Sequence, residues 1–425
     1  MKKAVLLAAG DSTRMLPLSA NQPKHLLPIA GKPLIYHTME ALEKAGIKET
    51  LVVYGYHGDQ LQEAVEARSW KMAISFVNQK ERKGTGHAAG YAKKFVGKKE
   101  AVLIYGDLMV GPDTFEGLIA YHEKGGYEFT LSTKAIEDPS AYGIVVMKEG
   151  KATSLIEKPN PEEVLSNLVN AGIYVIGDSL WEAIDNTKLS PRGEYEITDS
   201  ISMLIESGNV GAYTLPSWWL DIGKPWDLLE ANKQVLAKQQ ERIEGTVEDG
   251  AVIKGNSIVK KGAIIKSGAY IEGPVFIGED SVVGPNCYIR AYTSLGKKVK
   301  IGNAVEIKNC IIMDETNVGH LSYVGDSIIG QRSNFGAGTI TANLRHDDRS
   351  IFVSVKGERF NSKRRKLGAI IGDDVKTGIG TLIGPGIVIH QGARTGTGVI
   401  VSRDIEANKL VISKQEQVTM DADHK

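Results

Sequence analysis

The sequence predicts a Rossmann-like α/β domain followed by a left-handed parallel β-helix. Three observations predict it. Strand and helix signals alternate before residue 244, an aliphatic residue recurs at every sixth position after it, and the composition changes between the halves. All five Trp lie before the change, at 70, 181, 218, 219 and 226, while 25 of the 47 Gly crowd into the last 181 residues. A chain of 425 residues, at roughly 150 per domain, has room for two or three.

The elements of the first half follow in order. Ala4–Ala8 is an apolar run just ahead of Gly10, as in a buried strand. Leu34–Ala45 is amphipathic and stops at Gly46. Thr50–Tyr54 reads as strand, His57–Ala67 as helix, Ala73–Val77 as strand, His87–Phe95 as helix and Ala101–Tyr105 as strand. Such alternation implies right-handed crossovers and a mainly parallel sheet covered by helices on both faces. In such sheets ligands bind beyond the carboxyl ends of the strands, where Gly10 and Asp107 fall. Leu228–Glu244 has helical apolar spacing without Gly or Pro and reads as a linker helix.

The second half is a repeat. From Val247, steps of six reach Ile253, Val259, Ile265, Ile271, Ile277, Val283, Ile289, Leu295, Ile301 and Ile307. After a shift of phase the step resumes at Val318 and Val324, then at Ile371, Ile383, Ile389 and Val401, with Thr377 and Thr395 between. Three hexapeptides make one triangular coil with the aliphatic residues stacked inward and glycines relieving the corners. The expected boundaries are 1–227 for the first domain, 228–244 for the linker helix, 245–412 for the β-helix and 413–425 for a polar tail.

Composition excludes several classes. Lys+Arg and Asp+Glu balance at 51 each, which argues against nucleic-acid binding, a process that needs a basic excess. Two cysteines, Cys287 and Cys310, make no disulfide framework. The N-terminal apolar stretch is too short for a signal peptide, and no run approaches the ~20 apolar residues of a membrane span. A cytoplasmic protein with small-molecule substrates, without nucleic-acid or membrane partners, is expected.

Leu7-Ala8-Ala9-Gly10-Asp11-Ser12-Thr13-Arg14-Met15, followed by Gln22-Pro23-Lys24, is a loop leaving a strand. Its small residues present backbone N–H groups to an anion, with Arg14 and Lys24 as cations. With Gln79, Gly84-Thr85-Gly86, Tyr105-Gly106-Asp107, Tyr142-Gly143, Ile156-Glu157-Lys158-Pro159, Asn170-Ala171-Gly172 and Trp219-Leu220-Asp221-Ile222-Gly223 in that order, the first half resembles the sugar-1-phosphate nucleotidylyltransferases, an α/β nucleotidyltransferase fold. That resemblance implies attack of a sugar-phosphate oxygen on the α-phosphorus of UTP, with pyrophosphate leaving. It puts Arg14 and Lys24 in catalysis and Ala8, Ala9, Gly10, Gln79, Gly84 and Thr85 on the nucleotide. Gly143, Glu157 and Asn170 fall on the sugar, and Asp107 and Asp221 on Mg²⁺. Ser12 departs from the family, which usually has Gly there.

In the repeat, Gly302–Lys308, Gly319–Asp326 and Asn334–Asn343 resemble the acetyltransferase half of the bifunctional enzymes that make UDP-N-acetylglucosamine, in an arrangement more archaeal than bacterial. The resemblance implies His320 as the base that deprotonates an amino-sugar nitrogen for attack on acetyl-CoA. It places Arg290, Lys308, Tyr323 and Asn334 on the sugar phosphate, Asn343 near the acceptor and Ala337 at acetyl-CoA. Imidazole, with an ordinary pKa near ~6.5, suits that proton transfer. The chain departs at Leu344 and in a longer excursion ending in the basic run Lys363–Lys366, a candidate contact for the phosphates of coenzyme A. A homotrimer through the β-helix is the implied assembly.

The expected function is therefore N-acetylation of glucosamine 1-phosphate, or of galactosamine 1-phosphate, and uridylyl transfer to the product. One alternative is a monofunctional glucose- or mannose-1-phosphate nucleotidylyltransferase whose β-helix only assembles or regulates. Another is a non-catalytic regulatory subunit, disfavoured by the joint presence of Arg14, Lys24, Asp107 and Asp221.

Overall fold

A computed structural model of the chain describes residues 1–157, 159–160, 162, 164–414 and 416–420. Lys158 of the Ile156–Pro159 motif and part of the predicted tail lie outside these residues. The chain divides into two units: Met1–Ser12, Asn21–Leu27 and Lys32–Gly223 form the first, and Thr13–Ala20, Pro28–Gly31 and Lys224–Lys425 the second.

The first unit is built on a nine-stranded sheet. Its strands are β1 (Lys3–Ala8), β2 (Glu49–Tyr54), β3 (Ala73–Asn78), β4 (Ala101–Tyr105), β5 (Phe129–Ala135), β6 (Ile144–Lys148), β7 (Lys151–Ile156), β8 (Leu168–Ile176) and β9 (Val210–Thr214). They lie in the order β3-β2-β1-β4-β8-β5-β9-β7-β6. Along β1 the side chains alternate between two cores. Leu6 joins Val52, Ile104, Met39 and Leu42 on one face, and Val5 joins Val53, Leu103, Ala88 and Ile201 on the other. Burial on both faces is why these strands read as unbroken apolar runs.

Two expectations need correction here. The sheet is parallel from β3 to β4, but β8 runs antiparallel to both β4 and β5, and β7 antiparallel to β6 and β9. β6 and β7 are joined by the turn Glu149-Gly150, with φ 51° and 79°, so this pair is a hairpin needing no crossover. The helix expected over His87–Phe95 is two short ones, Thr85–Gly90 and Lys93–Val96. Past Gly90, a poor helix former, the N–H groups of Tyr91 and Ala92 turn back to the carbonyls of Ala88 and Ala89, three residues away.

The long stretch of the second unit, from Lys224, starts with a helix shorter than the apolar spacing predicts, Asp227–Leu236 instead of 228–244. Lys238 and Gln239 close it with three-residue turns. Arg242–Ile243 is already strand, paired with Ile258–Val259, so Ile243 serves the β-helix. Asn232 fixes the helix: fully buried, its amide oxygen accepts from the Ala30 N–H (2.8 Å) and the Ser294 hydroxyl (2.7 Å), and its Nδ2 donates to the Tyr292 carbonyl (2.8 Å).

The coils form three parallel sheets of eight, six and eight strands. One inner column runs Ile253, Ile271, Ile289, Ile307, Val324, Thr341, Ile383 and Val401 in register. The phase shift after Ile307 is a coil one residue shorter, which puts Ile312 under Leu295 and Val318 under Ile301. Thr377 and Thr395 occupy inward places because their hydroxyls bond to those of Thr339 and Thr381, each at 2.8 Å. One corner column, Gly268, Asn286, Ala304 and Leu321, has φ between 49° and 75°, so the left-handed conformation recurs there whatever the side chain. The excursion leaves the column after Thr341 and contains a hairpin, Phe352–Val355 with Glu358–Asn361.

Candidate active sites

In the first unit the chain leaves β1 at Ala8 and Ala9, both buried, and Gly10 is exposed. Ser12 has φ 58°, the left-handed region that explains a usual glycine. The serine adds something a glycine lacks: its Oγ accepts the N–H of Lys24 at 3.1 Å, tying the loop after β1 to the start of the 3₁₀ turn.

Lys24, expected on a polar loop, begins the short 3₁₀ turn Lys24–Leu26 and is buried. Its ammonium bonds directly to Oδ2 of Asp107. Burial alone pushes the Asp107 carboxyl up, but the charge and hydrogen bond of Lys24 outweigh it and hold the group below the ordinary carboxylate range. Burial and then the Lys24 charge lower His25 to about 3, against the pull of Asp107, so the imidazole beside this pair is neutral. Gly106 donates to the Leu7 carbonyl at 2.7 Å, and a Cβ there would stand 3.0 Å from both that oxygen and the His25 ring. The close approach explains the glycine in Tyr105-Gly106-Asp107.

Asp221 reaches Asp107 through the backbone. Trp219–Asp221 pairs antiparallel with Leu108–Val110, Asp221 opposite Leu108, and the Ile222 N–H donates to the Asp107 carbonyl at 3.0 Å. Among the described residues no cluster of three or more metal-ligating side chains occurs. Two aspartates on neighbouring backbone segments, both half-buried, fit a hard cation that takes its other ligands from phosphate and water.

The residues expected to meet the base and the sugar also form contacts among themselves. Gln79 is buried, its Nε2 3.3 Å from the Gly84 carbonyl and 3.0 Å from Nδ1 of His87. Gly84 has φ 99°, and a Cβ there would lie 2.5 Å from the Tyr195 carbonyl. Thr85 Oγ1 accepts the Ile197 N–H at 3.0 Å. A Cβ on Gly143 would come 2.8 Å from Oε2 of Glu157 and 3.8 Å from Cβ of Asn170, so these three positions converge. Arg14 is exposed on the 3₁₀ turn Thr13–Met15, in a stretch belonging to the second unit.

Lys24→Ala is expected to lower kcat/KM for nucleotidyl transfer by about 10² or more, since a charge held at reacting phosphates contributes most in the transition state. A variant with normal kinetics and only a lowered Tm would return Lys24 to a structural role.

In the β-helix, Tyr288, Glu306 and Tyr323 stack in register on one sheet and line an open groove of about 610 Å³ with Leu321, Ser322 and Ile340. Neither expected phosphate cation stands alone. Arg290 Nη1 bonds Glu306 Oε1 and Lys308 Nζ bonds Asp326 Oδ2, each at 3.0 Å. Asp326 is the residue that sequence reasoning missed. Its carboxylate is buried and also accepts from Nδ2 of Asn309 (2.8 Å) and of Asn343 (2.6 Å), and the latter nitrogen lies 3.1 Å from the Tyr323 hydroxyl. Lys308 and Asn343 thus meet on one buried side chain, with Tyr323 joined through Asn343. The signal was the register, which pairs Lys308 with Gly325 and puts Asp326 one place on.

His320 ends strand Asn317–His320 and is exposed; its carbonyl accepts from Ser322 Oγ (2.7 Å) and the Gly338 N–H (3.2 Å). Asn334 is exposed on the same sheet, opposite Asn317, and the Ala337 carbonyl accepts from Gly380 at 2.8 Å. The basic run is partly committed. Arg365 pairs with Asp348 at 2.7 Å, Arg364 lies 4.0 Å from Glu230, and Lys366 bridges Leu344 through the backbone.

Residues 3–238 match the family described as nucleotidyl transferase, and residues 271–377 match the GMPPB C-terminal domain. The chain is 42% identical to the bifunctional protein GlmU of Methanocaldococcus jannaschii, covering 98% of both. It is also 42% identical to the bifunctional sugar-1-phosphate nucleotidylyltransferase/acetyltransferase of Sulfurisphaera tokodaii, covering 95% of this chain and 98% of that one. A solved UDP-glucose pyrophosphorylase complexed with UDP-glucose superposes with a TM-score of 0.52 at 26% identity, over 56% of this chain and all of the other.

Proposed function

The chain belongs to the nucleotidyl transferase family and, over nearly its whole length, to the bifunctional sugar-1-phosphate nucleotidylyltransferase/acetyltransferases of the GlmU type; from that premise we propose the two reactions as follows. The β-helix N-acetylates glucosamine 1-phosphate, with galactosamine 1-phosphate as a second acceptor. The α/β domain then transfers uridylyl from UTP to N-acetylglucosamine 1-phosphate, giving UDP-N-acetylglucosamine and pyrophosphate.

In the first reaction His320 takes a proton from the amino-sugar nitrogen, which attacks the thioester carbonyl of acetyl-CoA; the C–S bond breaks and the CoA thiol leaves. Arg290, Lys308, Tyr323 and Asn334 hold the sugar phosphate, Asn343 orients the acceptor and Ala337 borders acetyl-CoA. The carboxylates paired with both cations leave this cluster close to neutral, which suits a substrate carrying an ammonium as well as a phosphate.

In the second reaction a sugar-phosphate oxygen attacks the α-phosphorus in line and the bond to the β-phosphate breaks. The Ala8–Gly10 turn holds the triphosphate. Gln79, Gly84 and Thr85 receive the base, and Gly143, Glu157 and Asn170 the sugar. Lys24 neutralises charge at the reacting phosphates. Asp107 and Asp221 would hold Mg²⁺, which supplies further neutralisation of the departing pyrophosphate. The first reaction uses acetyl-CoA and the second a nucleoside triphosphate, both metabolites of the cytoplasm, where we place the work. No helix among the described residues is long and apolar enough to cross a membrane.

The observation that carries the two-site reading is Asp326. Burying a carboxylate is costly, and a β-helix serving only assembly gains nothing from one that gathers a lysine, two amides and, through Asn343, a phenol. The test is one incubation with glucosamine 1-phosphate, acetyl-CoA, UTP and Mg²⁺. Release of CoA and pyrophosphate with UDP-N-acetylglucosamine is expected, and a nucleotide sugar formed with no CoA release would favour the monofunctional alternative.

The assembly we propose is a homotrimer through the β-helix. An outward row on one sheet is apolar: Ile340, Leu382 and Ile400 stack in register, the last two exposed, and Leu410 and Ile412 are exposed as well. Contiguous exposed apolar side chains favour burial between copies. Light scattering should give three times the 46.0 kDa chain, and a monomer at working concentration would remove the trimer.

A further inference from the structure

We propose that Tyr174 is a positioning residue for the sugar subsite, fixing the Asn170 amide without touching substrate. The inference rests on the reading above that Asn170 contacts the sugar.

A regular strand would hold positions 170 and 174 roughly 13 Å apart. In β8 the register against β5 slips between Asn170 and Tyr174, and Gly172 has φ 71°. At this bulge the Gly172 N–H donates to Oδ1 of Asn170 at 3.2 Å, and Nδ2 of Asn170 donates to the Tyr174 hydroxyl at 2.8 Å. Both ends of the amide are thereby assigned. Its second N–H and the second lone pair of Oδ1 remain to meet a ligand on the side of Gly143.

Tyr174 itself has no freedom. It is fully buried, with its ring centroid 5.7 Å from Phe129 and 6.1 Å from Tyr105. Burial raises its hydroxyl to about 12, so it stays protonated. An amide N–H only donates, which leaves the hydroxyl hydrogen for the Tyr105 hydroxyl at 3.3 Å. Tyr105 directly precedes Gly106 and Asp107, and a Cβ on Gly172 would stand 2.6 Å from its ring. From the sugar subsite a hydrogen-bonded chain therefore runs Asn170 to Tyr174 to Tyr105 and ends two residues before Asp107. Among sugar 1-phosphates, selection for the group that meets Asn170 depends on a phenol behind it.

The experiment is Tyr174→Phe, which keeps the ring packing and removes the oxygen, alongside Asn170→Ala and the double variant. Nucleotidyl transfer is measured with N-acetylglucosamine 1-phosphate and UTP each varied, together with Tm. Tyr174→Phe should raise KM for the sugar phosphate about tenfold, the usual worth of one hydrogen bond, with KM for UTP unchanged and kcat within about twofold. Added to Asn170→Ala it should have no further effect. An Asn170→Ala variant with raised sugar KM beside an unaffected Tyr174→Phe would overturn the positioning role and leave the sugar subsite standing. Asn170→Ala without any change in sugar KM would remove the subsite and the proposal together. A Tyr174→Phe effect that persists in the Asn170→Ala background, or that reaches both substrates alike, would assign Tyr174 to the fold instead.

Discussion

Asp107→Ala is expected to lower pyrophosphate release from UTP by about 10³ or more while CoA release from acetyl-CoA continues at the wild-type rate. Two losses combine in this substitution. The proposed metal site keeps only Asp221, and the buried Lys24 ammonium loses the carboxylate that bonds it. Electrostatic stabilisation of developing charge is the main work of such a site, so its removal falls on kcat. Acetyl transfer is spared because Lys308, Tyr323, Asn343 and His320 belong to the other unit. Asp107→Asn separates the two losses, keeping the shape and a polar partner for Lys24 while removing the charge. It should restore thermal stability toward wild type without restoring rate. Addition of EDTA should abolish pyrophosphate release from the wild-type enzyme, and release unchanged by EDTA would make the metal assignment wrong.

The fold was legible where one rule governed a long stretch. A triangular coil favours aliphatic side chains at its inner column, with threonine tolerated where its hydroxyl finds a partner, so the sixfold step exposed the β-helix over nearly the whole second half. The rule failed where coils change length: the shorter coil after Ile307 moves the inner column to Ile312, Ile329 and Phe335, which a fixed step of six passes over. In the first unit the buried runs announced β1, β2 and β4. Their direction was less legible, because an apolar strand reads the same whether its neighbour is parallel or antiparallel. The linker helix was over-extended for a similar reason, since Ile243 is apolar at a helical spacing and equally at home in the first strand of the coil.

The sites were legible as motifs and not as pairings. Lys24 and Asp107 stand 83 residues apart and meet only because β1 and β4 are adjacent strands. Asp326 sat in plain view beside Tyr323, yet nothing in its spacing announced that it would be buried and gather three donors. Ser12 looked like a mild departure from a glycine. The structure gives it a bond to Lys24 that glycine cannot make, a reason for the exchange that emerges only once the left-handed turn is built.

The other large effect is expected at His320. Replacement by alanine should lower kcat for CoA release from acetyl-CoA with glucosamine 1-phosphate by about 10² to 10⁴, the usual worth of a positioned base. Uridylyl transfer to N-acetylglucosamine 1-phosphate should continue unchanged. The ring sits at the end of its strand with its carbonyl held by Ser322 and Gly338, so the backbone beneath it is fixed. Among the described residues the imidazole has no hydrogen-bond partner of its own, which leaves both nitrogens for substrate. The cluster around Asp326 has the opposite character, because its members are already bonded to one another. A base acts in the transition state, so the loss should appear in kcat with KM for acetyl-CoA little altered. A raised KM at constant kcat would make His320 a binding residue. Wild-type protein with brisk uridylyl transfer and no acetyl transfer to any hexosamine 1-phosphate would remove the acetyltransferase assignment and leave the β-helix to assembly.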